Sequence, residues 1–395
     1  MIFALLLGVA LVGTLSSTVF LVLAVLGARS YRRASRERRW PEGTPLVSVL
    51  KPVHGMEPSL SENLESYFRQ DYPNFELLFC ARDQSDAGLA VARELAAKYP
   101  NVKSRILTSG EPPFANAKVY SMMAMAGAAA GDILILSDSD VYAGPAYVRE
   151  VSAPLRDPKV GAVTCMYRGR PVNDFWALLE GLGMTVEMSA GVLIARLLEG
   201  MKFALGPTMA TRKDVVAKIG GLRQLGEYCA DDFVLGNLAA RAGYEVVLSA
   251  HVIDHMARDI GFLESFTHQA RWMRSTRYSR PKGHFGAGLT FAMPFGIVGF
   301  IAGWLAGFPV VGIGLLLGAI ANRMLLSLVV GWVTLSDRRS LVYAWLYPLR
   351  DLLGSCVWLA SYSGNELVWR GQRYKLEFGG KMLPVGAKAT EAAGS

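Results

Sequence analysis

The stretch Asp132-Ile-Leu-Ile-Leu-Ser-Asp-Ser-Asp-Val141 decides how the chain is read. Its apolar run, Ile133–Leu136, has the length and branched-chain content of a buried strand. The run leads into two carboxylates one residue apart, Asp138 and Asp140. In open α/β sheets, ligands sit at the carboxyl ends of strands. Two acids spaced i, i+2 at such an end can share one hard divalent cation, which takes oxygen ligands and substrate phosphates. The competing reading is a solvated turn, because Asp and Ser are ordinary turn residues and Asp-x-Asp is short and common.

Upstream, strands and helices alternate. Leu46–Leu50 reads as a strand ending in Lys51-Pro52-Val53-His54-Gly55. Leu60, Leu64, Tyr67 and Phe68 mark an amphipathic helix, and Phe75–Cys80 is a strand leaving into Asp83 and Asp86. A helix through Leu89–Tyr99, a strand Val102–Leu107 and a helix from Asn116-Ala-Lys118 to about Ala130 complete the series. This order predicts an α/β domain with a mostly parallel sheet covered by helices, since parallel neighbours need crossover connections. The Asp83/Asp86 and Asp138/Asp140 loops then open on one edge and line one cleft.

Downstream, Val160–Cys165 and Tyr244–Leu248 read as strands. Asp174–Gly200 is a long apolar stretch that suits either a core helix or a helix lying on the membrane, of which we favour the interfacial position. Asp231-Asp232 opens a helix running to about Arg241. These two acids suit a helix N-terminus, and a carboxylate there also suits a general base. The helix Phe262–Tyr278 carries His268, Arg271 and Trp272, which fit either a diphosphate-binding wall or a membrane-surface face. His251 and His255 are a lone pair of histidines, more often structural than metal-binding.

The 395 residues are 52% apolar and carry a net charge of +8. That mixture suggests a soluble domain joined to membrane segments. Residues 1–28 carry no charged side chain, enough for the ~20 residues that span a bilayer. The cluster Arg29, Arg32, Arg33, Arg36, Arg38 and Arg39 follows the apolar run, the pattern of an uncleaved anchor rather than a signal peptide. No zinc or RNA-binding pattern accompanies these arginines, so they read as a membrane-surface contact and not a nucleic-acid patch. Four scattered cysteines fit a reducing compartment, and no Gly-x-Gly-x-x-Gly supports a dinucleotide oxidoreductase.

Five segments result: an anchor at 1–28, a basic linker at 29–43, a soluble domain at 44–283, a membrane region of about three helices at 284–370, and a tail at 371–395. Three spans would leave Arg370, Arg373 and Lys375 outside, against the positive-inside rule.

Taken together, these motifs resemble the ceramide glucosyltransferase family, and the chain is similar also to bacterial glycosyltransferases linked to hopanoid synthesis. The likeness rests on Lys51-Pro52-Val53-His54-Gly55, Gln70-Asp71-Tyr72-Pro73, Asn116-Ala-Lys118 and Asp138-Ser-Asp140. It continues through Gly206-Pro207-Thr208-Met209, Arg212-Lys213-Asp214-Val215, Ala230-Asp231-Asp232, Arg271-Trp272 and Trp369–Leu376. The resemblance implies a GT-A fold with transmembrane helices at both ends. It implies a UDP-sugar donor, a lipid acceptor such as ceramide or a hopanoid, inversion, and a Mg2+ or Mn2+ ion.

By the same resemblance Asp83 or Asp86 helps hold the nucleotide with Lys118, Asp138 and Asp140 hold the metal, and Asp232 is the base. His268, Arg271 and Trp272 occupy the closing motif, where the family has Gln or Arg in place of His268. The implied setting is an integral protein of a bacterial inner membrane with a cytoplasmic catalytic domain. A hopanoid-pathway N-acetylglucosaminyl transferase, a processive polysaccharide synthase and a non-catalytic scaffold are the alternatives.

Overall fold

The computed structural model describes residues 1–172, 174–257, 261–369 and 372–385. Eight strands form one mixed sheet: β1 Val47–Pro52, β2 Phe75–Ala81, β3 Lys103–Thr108, β4 Ile133–Leu136, β5 Val141–Tyr142, β6 Val160–Pro171, β7 Met209–Arg212 and β8 Glu245–Ala257. Their order is β3-β2-β1-β4-β7-β6-β8-β5. The half built from β1 to β4 is parallel, and β7 enters antiparallel between β4 and β6.

The apolar runs bury both faces of this half. Val47, Val49, Leu77, Phe79, Ile133 and Ile135 pack on one side with Leu60, Leu64 and Leu89, from helices α2 (Leu60–Phe68) and α3 (Ala87–Lys98). Leu50, Leu78, Leu134 and Leu136 pack on the other against Val119, Met122 and Met125 of the Ala117–Ala128 helix. Alternate side chains of a strand point to opposite faces, so a continuous apolar run serves two helical layers.

Strands β6 and β8 extend well past the apolar stretches Val160–Cys165 and Tyr244–Leu248. Their continuations add Met166, Tyr167, Ile253 and Ala257 to the core and pair the polar side chains between them. Arg168 stands opposite Asp254 in the register, and Arg168 Nε lies 2.7 Å from Asp254 Oδ1. The short strands β5 and β7 give too few residues for any periodicity to reveal.

Three helices among the described residues are long and apolar enough to cross a bilayer: Ile2–Glu37, Phe175–Glu199 and Pro309–Thr334. The second is mostly buried within the protein, contrary to the interfacial placement expected from its composition. Its Gly181 lies so close to Gly169 of β6 that a Cβ on Gly169 would come within 2.4 Å of the Gly181 Cα. Only a core helix approaches a strand in that way.

In the 284–370 region, Met293–Leu305 has 13 residues, roughly 20 Å of helix, and pairs with the Pro309–Thr334 helix through Gly303 and Gly312. The stretch Leu341–Trp369, whose composition suits either one span with an interfacial lead-in or a re-entrant element, is broken into short helices and a strand. Buried Arg350 and Asp351 interrupt it: Arg350 pairs with Glu187 at 2.9 Å and Asp351 with Arg323 at 3.1 Å. Beyond it, Glu366–Trp369, Gln372–Leu376 and Met382–Pro384 form a small antiparallel sheet. Met382 N donates to Glu227 O at 2.8 Å, so the chain has returned to the side of the large sheet.

Candidate active site

Since β1, β2 and β4 are parallel, their carboxyl ends share one edge. The antiparallel β7 brings its preceding turn, Gly206-Pro207-Thr208, to that same edge. Ser137 Oγ donates to Pro207 O at 3.0 Å and ties the two together. Asp231 and Asp232 arrive from the first turn of the Asp231–Arg241 helix. Gly206 lies between the acids: a Cβ there would sit 3.3 Å from Asp232 Oδ2 and 3.8 Å from Asp138 Oδ2. The Gly206 N–H donates to Asp232 Oδ2 at 2.6 Å, and the Phe233 N–H donates to its other oxygen at 2.7 Å.

Two lysines face this acidic group. Lys118 Nζ lies 2.7 Å from Asp138 Oδ1 and 3.5 Å from Asp231 Oδ2. Burial opposes the charge on Lys118, but Asp138 and Asp231 outweigh it and raise its pKa. Lys51 is fully buried beneath the loop, donating to the Asp138 carbonyl and stacked 3.8 Å over the Tyr67 ring. Burial brings its pKa down to about 7. Asp232 is pushed the other way, up to about 6, by burial and by the negative charge of Asp231. A carboxylate held there suits proton abstraction near neutrality.

Asp140 occupies a different setting. The β5–β8 register places His255 against it, with Nε2 3.4 Å from Asp140 Oδ1, yet that buried oxygen accepts no hydrogen bond. Among the described residues no group of three or more His, Cys, Asp or Glu is arranged to enclose a metal. The pair Asp138 and Asp140, one with an orphaned buried oxygen, instead suits an ion such as Mg2+ that keeps waters and takes substrate phosphates alongside one or two carboxylates. His251 does not join His255. Four residues apart on a strand, they lie roughly 13 Å from each other, and His251 packs on Tyr147 with its pKa lowered to about 4 by burial.

This arrangement can be compared with known proteins. Residues 8–382 match the family described as glycosyl transferase family 21. The chain belongs to glycosyl transferase family 21. Ceramide glucosyltransferase 1 of Caenorhabditis elegans is 26% identical over 343 residues, covering 86% of this chain and 73% of that protein. Ceramide glucosyltransferase 3 of the same organism is 24% identical over 373 residues, covering 93% and 80%. Among solved structures, a mannosyltransferase from Pyrobaculum calidifontis in complex with GDP-Man and Mn2+ superposes with a TM-score of 0.51. It is 17% identical, covers 90% of this chain and 97% of its own, and supports the GT-A fold.

In this family 21 glycosyltransferase the remaining sequence-derived residues divide. Asp86 caps the Ala87–Lys98 helix through Gly88 N at 2.8 Å and also accepts from Gly55 N at 2.9 Å, joining the β1 and β2 loops. Asp83 is exposed and turned back on Ser85. Asp86 is therefore the one built into the edge of the cleft. Trp272 lies tilted against His268, ring centroids 4.2 Å apart, and approaches His255 at 6.5 Å, which connects the Gly261–Ser279 helix to the Asp140 loop. His268 itself pairs with buried Glu180, Nδ1 to Oε1 3.1 Å. Arg271 lies within electrostatic reach of Cys229, two residues before Asp231.

Sequence reasoning offered Asp231 only together with Asp232 and gave no site role to Lys51, Gly206 or His255. For Lys51 a signal existed: a lysine closing an apolar strand whose six residues are all buried. For His255 none did, since only the pairing of β5 with β8 brings it to Asp140.

Proposed function

We propose that this glycosyltransferase is inverting and metal-dependent, and transfers a sugar, glucose by its ceramide glucosyltransferase relatives, from a UDP-sugar to the hydroxyl of a membrane lipid, ceramide. The observation that carries this reading is the cluster of Asp138, Asp140, Asp231 and Asp232 at one sheet edge, reached by Lys51 and Lys118. Its apolar helices suit an acceptor that stays in the bilayer. The soluble domain is assigned to the cytoplasmic side by the arginines that follow residue 28.

In this mechanism the acceptor hydroxyl oxygen bonds to the anomeric carbon from the face opposite the diphosphate. Asp232 takes the hydroxyl proton as that bond forms, and the bond from the anomeric carbon to the phosphate oxygen breaks, releasing UDP. The Gly206 and Phe233 N–H groups aim the Asp232 carboxylate, and its raised pKa keeps it basic enough to hold the proton. Asp138 and Asp140 would hold the divalent cation, whose charge stabilises the leaving diphosphate. Arg271 adds charge-assisted hydrogen bonds to the same phosphates. Lys118 fixes Asp138 and Asp231 in mutual register. Asp86 holds the β1 and β2 loops at the nucleotide end, and Trp272 provides an apolar wall.

The test is transfer by purified protein in a bilayer mimic. Labelled UDP-glucose, UDP-galactose, UDP-glucuronic acid and UDP-N-acetylglucosamine are offered with ceramide, diacylglycerol or a hopanoid, with and without Mg2+ or Mn2+. Glucose transfer to ceramide that disappears on chelation is the expected result. Transfer only to a hopanoid replaces the acceptor, and no transfer with any pair overturns the reading.

A further inference from the structure

The loop carrying the acidic pair is held from two sides. On one side, Asn116 N donates to Gly226 O at 2.9 Å and Asn116 Nδ2 to Tyr228 O at 3.0 Å. Asn116 also caps the helix that presents Lys118, so this side is already part of the site.

On the other side stands the small sheet Glu366–Pro384, part of which falls in a stretch that composition marks only as a tail. Met382 N donates to Glu227 O at 2.8 Å, Tyr228 bridges to Lys381, and Cys229 N reaches Gly380 O at 3.4 Å. Lys381 Nζ pairs with Glu227 Oε2 at 3.1 Å. Three consecutive residues, Glu227 to Cys229, are thus paired along their backbone immediately before Ala230 and the two aspartates.

The same sheet grips the other wall of the cleft. Gly379 N donates to Tyr278 O at 2.9 Å, and Arg274 Nη1 donates to Glu366 O at 2.6 Å, both from the helix that carries Arg271 and Trp272. Tyr278, Leu367, Tyr374, Leu376 and Met382 form a separate apolar cluster beneath, with Ala115 and Cys229 at its margin. The sheet therefore has its own small core, placed between the acidic loop, the Lys118 loop and the Trp272 helix.

We propose that this sheet is a positioning element of the catalytic centre: by pairing with Glu227–Cys229 it sets where the Asp231 and Asp232 carboxylates stand. The inference rests on the reading of Asp232 as base. Its physical basis is that a loop without regular structure holds a geometry only through such contacts, and a displacement of about 1 Å at a reacting group costs up to about a hundredfold in rate. Lys381, Gly380 and Met382 touch no reacting atom and act through the loop.

The test uses the full chain in a bilayer mimic and a salt link that is half exposed on both partners, so that its variants keep their fold. Lys381→Glu sets two like charges face to face against the loop, and kcat is expected to fall about tenfold with the donor KM within about twofold. Glu227→Lys alone should behave likewise, and the charge swap Glu227→Lys with Lys381→Glu should restore kcat. Hydrogen exchange at the Tyr228–Phe233 amides should quicken in the single variants and recover in the swap. Wild-type kcat in Lys381→Glu, or a loss that the swap fails to recover, overturns the proposal. Asp232→Asn, measured in parallel, separates the two ideas. If Asp232→Asn keeps turnover, the base assignment fails, whereas the charge-swap result judges the sheet by itself.

Discussion

Among the buried charges of the described residues, the sheet edge and the apolar helices hold two groups built on different rules. At the sheet edge, Asp138, Asp140, Asp231 and Asp232 face Lys51 and Lys118, and one oxygen of Asp140 is buried without a hydrogen bond. Beside the apolar helices, Arg323 pairs with Asp351 and Arg350 with Glu187, one charge against one. Asp351 is further satisfied by the N–H groups of Ala292 and Met293, at 2.9 and 2.8 Å, where it caps the short Met293–Leu305 helix. Uncompensated negative charge in a protein interior is costly unless something else completes it, and here the substrate side is left to do so. The balanced, capped Arg323–Asp351 pair serves to hold helices together, although its neighbour Arg350 keeps Nε and Nη1 buried without a hydrogen bond.

The largest effect should come from removing carboxylates at the edge. Asp232→Asn and Asp138→Ala are expected to lower kcat by about a thousandfold or more, with unfolding temperature and membrane insertion unchanged. An Asp232→Asn protein that turns over normally would place the base elsewhere. In the balanced group the outcome should reverse. Asp351→Asn leaves Arg323 buried without its counter-charge and should cost about 3–5 kcal/mol of stability, read as a fall in the unfolding midpoint in detergent. Any folded fraction should retain its kcat.

Intermediate effects sharpen the contrast. With Asp232 held at about 6, kcat/KM should rise with pH through that value and level off above it, because only the deprotonated carboxylate accepts a proton. Lys51→Met should slow transfer about tenfold by freeing the Asp138 carbonyl, a loss of about 1.4 kcal/mol in the transition state. The same variant should not lose stability. Lys51 is lowered to about 7 when folded against 10.5 for an ordinary lysine, so the unfolded chain binds more protons between those limits. Stability of the wild type should therefore rise with pH across that window, and Lys51→Met should lack this slope. The smallest change is His268→Gln, expected to alter kcat/KM by less than about threefold, since the site tolerates a neutral hydrogen-bonding group beside Glu180.

The folding pattern was legible where it is local. Ile133–Leu136, Phe75–Cys80 and the helix opening at Asp231 announce themselves through apolar runs and charged ends, and the structure sets them almost where the pattern does. The Asp174–Gly200 stretch misled because composition does not reveal what covers a helix, and here β6 does through Gly169 and Gly181. Strands β5 and β7 are too short for periodicity, yet β7 delivers Gly206 between Asp138 and Asp232. The tail looked inert because its strands are short and polar, and their partners Glu227–Cys229 lie about 150 residues earlier along the chain.

The sequence by itself determined the order of elements, the family, and the residue types that can do the chemistry, because these depend on local periodicity and motif. Only the tertiary structure decided which acids meet and how they differ. It set Asp231 on Lys118 and Asp232 on Gly206, brought His255 to Asp140 through β5–β8 pairing, and returned the last strands to the acidic loop. Each of those decisions is a pairing between distant segments, and the register that makes it is fixed by packing across the sheet and not by the residues beside it in the chain.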